Sequence, residues 1–290
     1  MSSQLAILGG KPVRTKEFRS RPMVGDDEIN LVTSLMRSGR FSKFVGSPIP
    51  GTKELLSKKS VDCDNKEIGF NFLGGEFVRN FERQWSEITN ADYCISVNSA
   101  TSGLTTALLS LGMKPGSKVA TSPFSFTATS ASIVSAHCVP IFCDIDPETF
   151  CLCPKSLRKI IKEHDIKCIM PVHWCGNAGD LEEICAIAKE NSIFVVEDAA
   201  QAPDTFYNNK ALGTVGDAGV FSFNEPKNLM TGEGGLILTN NAKIARRARL
   251  IRNHGEAIIE EGDDLKNIVG YNFRMTELHA AIAYIQTLNR

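Results

Sequence analysis

Lys227 is the residue of this 290-residue sequence with the clearest opening for chemistry. It lies in Gly219–Asn240, GVFSFNEPKNLMTGEGGLILTN, between two apolar runs, Val220–Phe223 and Leu236–Leu238. Each run has the length and make-up of a short buried strand, and a glycine-rich turn, Gly232–Gly235, precedes the second. A lone lysine in such a loop reads in two ways. Most lysines are solvated, and this one can be an exposed hairpin residue. Held among apolar and hydroxyl neighbours, it would instead have a lowered pKa and become an amine nucleophile.

Three further stretches bear on that choice. Val97-Asn98-Ser99-Ala100-Thr101-Ser102-Gly103 puts small hydroxyl residues at the start of an apolar-faced helical segment. Such residues cap helices. They also make phosphate sites, where free N–H groups and the helix dipole meet an anion, and Thr101 can add a hydroxyl. Ser122-Pro123-Phe124-Ser125-Phe126-Thr127 brings two aromatics to a strand-to-helix junction, as core residues or as a platform for a flat ring. Val195-Val196-Glu197-Asp198-Ala199-Ala200-Gln201-Ala202 ends a buried strand in two carboxylates followed by small residues. Buried acids are costly unless paired or in use. An acid here either caps a helix or holds a protonated ring nitrogen, with Gln201 in reach of a ring substituent.

These stretches need a scaffold that brings them together. From Tyr93 onward, strand-like runs at 93–97, 118–121, 139–143, 167–172 and 193–197 alternate with helical segments at 101–111, 127–136, 154–164 and 180–191. The strands are apolar with little alternation, as in a parallel sheet covered by helices on both faces. Ligands bind such sheets where strands end and helices begin, and all four stretches fall there. A phosphate cradle, a stacking aromatic, an aspartate and a lysine at one sheet mouth are the parts that a pyridoxal 5′-phosphate (PLP) site requires.

Before Tyr93, residues 1–25 read as an extended N-terminal arm. Asp26–Ser38 reads as a helix with Ile29, Val32, Leu35 and Met36 on one face, and Gly39 stops it. Residues 42–74 read as a long surface loop with a short helix at 53–57. Glu76–Thr89 reads as a helix striped with Phe77, Phe81, Trp85 and Ile88. His173-Trp174 reads as packing or support, the charges of the basic segment Lys243–Arg252 as a solvated face, and Glu233 as a loop anchor.

Composition narrows the class. The chain is 42% hydrophobic and 22% charged, with a formal net charge of −1, so it carries no electrostatic footprint for nucleic acid. No apolar run is long enough to span a bilayer and Met1–Gln4 is not a signal peptide, so a cytoplasmic protein without membrane contact is expected. The nine cysteines lie mostly in apolar strand-like runs, and Cys151-x-Cys153 is their one close pair. That is the habit of reduced, buried thiols, and no metal site is expected.

In NSATSGLTTALLSLGMKPGSKV, PIFCDIDPETFCLCP, EDAAQAP, GDAGVFSFNEPKNLMTGEGGLILTN, RNHG and GYNFRMTELHAAIA, the chain resembles the DegT/DnrJ/EryC1/StrS aminotransferases, from about Leu8 to its last residue. These are fold-type I PLP-dependent enzymes acting mainly on nucleotide-linked keto-sugars. The resemblance implies that Lys227 forms the internal aldimine, Asp198 pairs with the pyridine nitrogen, and Gln201 contacts the ring hydroxyl. It implies that Phe126 stacks on the ring, and that the Ala100 and Thr101 amides with Ser222 hold the phosphate. It implies that Asn272 reaches the phosphate of a neighbouring subunit, in a homodimer with shared sites. The implied reaction moves an amino group from glutamate or glutamine to a keto-sugar. An inosose or other cyclic ketone as acceptor stays open, as does a non-catalytic partner or regulator with the same fold. Some relatives carry histidine at the lysine position and are dehydratases; Lys227 favours transamination. Residues 26–275 correspond to the PLP-binding large domain. The stretch 41–72 is longer than in most members. Relatives continue into a small C-terminal domain, expected to be missing here, with 276–290 as the start of the linking helix.

Overall fold

The computed structural model describes residues 4–17, 24–44, 73–255 and 268–289. The expected loop at 42–74 and its short helix lie outside these residues, apart from 42–44 and 73–74. The described residues hold nine strands: β1 (Tyr93–Val97), β2 (Lys118–Thr121), β3 (Val139–Phe142), β4 (Ile166–Met170), β5 (Phe194–Asp198), β6 (Phe206–Tyr207), β7 (Lys210–Ala211), β8 (Ala218–Ser222) and β9 (Gly235–Thr239). The α-helices are α1 (Asp26–Ser38), α2 (Glu76–Thr89), α3 (Ala100–Ser110), α4 (Ala128–Ser135), α5 (Pro154–Glu163), α6 (Leu181–Glu190), α7 (Ala242–Arg252) and α8 (Glu277–Leu288). The strands and helices expected between Tyr93 and Asn191 all form, each within two residues of its expected ends.

Seven strands make one sheet in the order β1-β9-β8-β5-β4-β2-β3. Only β9 runs against the rest: it pairs antiparallel with β1 and β8, while the other pairings are parallel. The reason is local. Gly232–Gly235 turns the chain back, so β8 and β9 form a hairpin with Ser222 opposite Gly235, whereas β1 to β4 are each followed by a crossover helix and β5 reaches β8 through the segment that holds β6 and β7. The strands β6 and β7 form a separate hairpin. Its two-residue turn, Asn208-Asn209, has φ of 48° and 62°, left-handed values that asparagine tolerates best after glycine.

Side chains alternate across the sheet and build a core on each face. On one face, Ile95 and Val97 of β1, Val196 of β5 and Val220 of β8 pack with Leu104 and Leu108 of α3, Ile133 of α4, and Ala245 and Ala248 of α7. On the other face, Phe221 of β8 and Leu236 and Leu238 of β9 meet Phe81 and Trp85 of α2 and Ala280 and Ala283 of α8. Farther along that face, Ile169 of β4 and Val195 of β5 meet Leu157 of α5 and Ile184 of α6. Phe81, Trp85, Phe221 and Phe223 pack edge to face, with ring centroids 5.1 to 6.1 Å apart.

A sequence stripe shows which residues share a helix face, not what covers that face, and the solvated face expected for α7 fails for this reason. In α1 only Leu35 of the apolar stripe is buried, while Ile29 and Met36 are more than half exposed. In α7 the arginines are not all solvated. Arg249 and Arg252 are buried on the inward face with Ala245 and Ala248. The Arg252 guanidinium donates to Glu82 at 2.6 Å, to the Ser96 carbonyl at 2.8 Å and to the Leu73 carbonyl at 3.4 Å, so acceptors on its two terminal nitrogens offset much of its loss of water, while its buried Nε has none. The eight described cysteines are free, and burial raises several thiols, Cys143 to about 12 and Cys185 to about 11. Among the described residues no helix is long and apolar enough to cross a membrane.

Candidate active site

The C-terminal ends of β1, β2, β4, β5 and β8 open into a cavity of about 570 Å³. Ala100, Thr101, Phe126, Asp198, Gln201, Ser222 and Lys227 all line it. Asn272 does not; its side chain accepts a hydrogen bond from Arg274 at 2.8 Å, and its backbone bridges to Asn253.

At the N-terminus of α3, Ser99 caps with its hydroxyl, accepting from the Ser102 N–H at 3.2 Å, and its carbonyl accepts from the Gly103 N–H at 3.0 Å. The first-turn N–H groups of Ala100 and Thr101 have no partner within the described residues and lie at the positive end of the helix dipole. The capping reading therefore holds on the Ser99 hydroxyl, and the Ala100 and Thr101 N–H groups are left over from it. Gly235 brings the hairpin against this turn. A Cβ there would sit 2.5 Å from the Ser99 carbonyl and 2.7 Å from the Ala100 nitrogen, so only glycine fits. Ser222, at the end of β8 opposite Gly235, adds a hydroxyl to the same wall.

Asp198 and Glu197 are neighbours with opposite fates, because β5 sends successive side chains to opposite faces. Glu197 is fully buried behind the site. It accepts from the N–H groups of Gly213, Val215 and Gly216, each at 2.7 Å, and from His173 Nε2 at 2.8 Å. It is a structural hub, and His173 is its partner. Asp198 faces the cavity. Its Oδ2 accepts from the Thr129 hydroxyl at 2.6 Å and its Oδ1 from the Ala200 N–H at 3.2 Å. Burial pushes its pKa above the usual carboxylate range, against the Thr129 and Ala200 hydrogen bonds and the charges of His173 and Lys227. No salt bridge satisfies this buried carboxylate within the described residues, so the site suits a cationic ring nitrogen.

Lys227 occupies a loop stapled across its neck. Glu225 N–H donates to the Gly232 carbonyl at 3.0 Å, Thr231 N–H to the Phe223 carbonyl at 2.8 Å, and the Asn224 amide to Glu233 at 2.8 Å. Gln286 of α8 accepts from the Met230 N–H at 2.7 Å and ties the loop to that helix. The lysine is half-buried on the cavity wall rather than sealed from water. The Gln201 side-chain oxygen, Oε1, accepts from the Cys175 N–H at 3.0 Å. Phe126 is 75% exposed over the cavity, so its role is not core packing. Phe124 instead packs against Trp174, with centroids 4.5 Å apart, and Trp174 lines the cavity.

The profile of the DegT/DnrJ/EryC1/StrS aminotransferase family matches residues 64–289. The chain belongs to that family. The family is PLP-dependent. A GDP-perosamine synthase from Caulobacter vibrioides is 35% identical over 73% of this chain and 56% of its own length. A putative L-glutamine:3-amino-2,3-dideoxy-scyllo-inosose aminotransferase from Streptomyces kanamyceticus is 31% identical over 97% of this chain and 60% of its own. The structure of NtdA from Bacillus subtilis, solved with bound cofactor PMP, superposes with a TM-score of 0.71 at 26% identity, covering 94% of this chain and 57% of NtdA. The chain thus spans less than two thirds of the length of each. As a DegT/DnrJ/EryC1/StrS chain it has residues that fit PLP: two unpartnered N–H groups at a helix start, a glycine that clears the space beside them, a buried carboxylate without a cation and a lysine on the facing loop. Ser125 and Thr129 are not singled out by the sequence; in a hydroxyl-rich segment such as Ser125–Ser132 nothing marks which hydroxyl faces a carboxylate. His173, expected to pack or support, does so through Glu197.

Proposed function

We propose that this chain is the cofactor-binding part of a PLP-dependent aminotransferase that moves an amino group from glutamate or glutamine to a keto-sugar, nucleotide-linked in the first reading. The observation that carries this is the single cavity joining Lys227, Asp198 and the open start of α3. In this reading the Ala100 and Thr101 N–H groups and the Ser222 hydroxyl bind the phosphate, Phe126 stacks on the ring, and Gln201 contacts the ring hydroxyl. Bound there, PLP supplies an aldehyde that captures amines and a ring that accepts electrons. Asp198 keeps a proton on the ring nitrogen, which favours electron withdrawal. Lys227 would be the amine that holds the cofactor and, once an amino acid displaces it, the base that takes the proton from that amino acid's Cα. Residues 26–275 form the large domain, 1–25 an arm and 276–290 the start of a linking helix. Asn272, outside its own chain's cavity, serves the phosphate of a second copy in a homodimer.

A cyclic ketone such as an inosose is the second reading, favoured by the relative of that name matching 97% of this chain. Protein supplied with PLP should show a visible band that borohydride fixes covalently, and Lys227→Ala should abolish it. Absence of the band in the wild type would overturn the reading. Glutamate-treated protein offered a nucleotide-linked keto-sugar or an inosose then separates the two acceptors by which one is aminated.

A further inference from the structure

The cavity wall holds a feature that the ring, phosphate and lysine contacts leave unused. Ser125 and Thr129 sit one helical turn apart where β2 leads into α4, and their hydroxyls are 2.7 Å apart. Thr129 is buried, 1% exposed, and its hydroxyl lies 2.6 Å from Asp198 Oδ2. A carboxylate only accepts, so the Thr129 proton points at Asp198. Its oxygen is then free to accept from Ser125, and the two hydroxyls form one directed chain, Ser125 to Thr129 to Asp198. Each bond polarises the next, and the chain ends on charge, where hydrogen bonds are strongest.

We propose that Ser125 and Thr129 are positioning residues that hold Asp198 ionised and fixed in orientation toward the cofactor's ring nitrogen. The proposal rests on the PLP reading for its purpose but on the hydroxyl geometry for its substance. Asp198 needs such help. Burial favours its neutral form, and a neutral acid could not keep a proton on the ring. The ionisable groups around it are His173 at the end of β4, which is bonded to Glu197 on the opposite face, and Lys227 and Glu233 in the cavity wall. His173 and Lys227 pull in the same direction as Thr129, but neither bonds to the carboxylate.

The test uses cofactor-free protein first. The side-chain carboxyl of Asp198, assigned by comparison with Asp198→Asn, is titrated by carbon-13 NMR in wild type, Thr129→Val and Thr129→Ser. Valine keeps the shape and removes the hydroxyl; serine keeps the hydroxyl. In Thr129→Val the midpoint should move to higher pH, and in Thr129→Ser it should return toward wild type. PLP affinity, read by absorbance titration, should fall about tenfold or more in Thr129→Val, the worth of one hydrogen bond to a charged group, and recover in Thr129→Ser. If Thr129→Val does not fold, Ser125→Ala, which removes only the outer hydroxyl, should shift the midpoint the same way by less. An unchanged midpoint in Thr129→Val, or in Ser125→Ala where that variant stands in for it, overturns the proposal. Failure of the wild type to bind PLP would overturn the functional reading instead, and the cofactor-free titration would still decide the hydroxyl chain.

Discussion

Replacing Glu197 by glutamine keeps the shape of the buried hub and removes its charge. The four groups around the carboxylate are all donors as the structure stands: three N–H groups at 2.7 Å and His173 Nε2 at 2.8 Å. An amide NH2 must face two of them. On the Oε1 side it would meet the Val215 and Gly216 N–H groups, neither of which can turn away. On the Oε2 side it would meet Gly213 N–H and the histidine, and the ring could change tautomer to accept. That switch puts the ring proton on Nδ1, which is buried and has no partner. The cheaper placement therefore loses one charge-assisted bond, at about 1.5–3 kcal/mol, and orphans a buried donor at about 1–3 kcal/mol. The uncharged side chain is easier to bury, which brings the net loss to about 3 kcal/mol, or roughly a 5 °C fall in Tm for a protein of this size. Urea and thermal unfolding of Glu197→Gln beside the wild type measure it. A loss below about 1 kcal/mol with an unchanged urea slope would refute the donor count on which the argument stands.

Two further outcomes follow from the same geometry. Asp198 has a raised folded pKa, so its ionised form costs stability: the penalty is absent below the unfolded pKa and grows as pH rises through the folded value. In cofactor-free protein, Asp198→Asn should match the wild type near about pH 4 and exceed it near about pH 8. Urea midpoints at the two values check this, and a difference that does not grow with pH counts against it. Gly235→Ala puts a Cβ 2.5 Å from the Ser99 carbonyl, so it should lower stability by about 1–3 kcal/mol and weaken PLP binding by pushing the start of α3 away. Wild-type PLP affinity in this variant would show that the α3 N–H groups are not the phosphate site.

Much of the scaffold could be read from the chain because its signals are local. Short apolar runs between helical periods imply covered parallel strands, and the structure places these within two residues of the expected ends. The hairpin at β6–β7 is not among the elements read from the sequence, because its strands of two residues each carry no periodicity to find. Most of the site residues were legible as types at strand ends or in the Lys227 loop, Ser222 and Asn272 through the family resemblance alone, and seven of the eight reach one cavity. The eighth, Asn272, lies outside it, held by the Arg274 contact and the bridge to Asn253.

By itself the sequence determined the order of elements, the family and the residue types at the sheet mouth, because propensity, period and motif are properties of neighbours along the chain. Only the tertiary structure decided the roles of particular atoms. It separated Glu197, a hub for three N–H groups, from Asp198, the acid in the cavity, since strand alternation acquires meaning only when both faces are occupied. It buried Arg252 against Glu82, 170 positions away in the chain. It set Thr129 on Asp198 across 69 positions, a hydrogen bond that depends on where β2 and β5 lie in the sheet, with β4 between them.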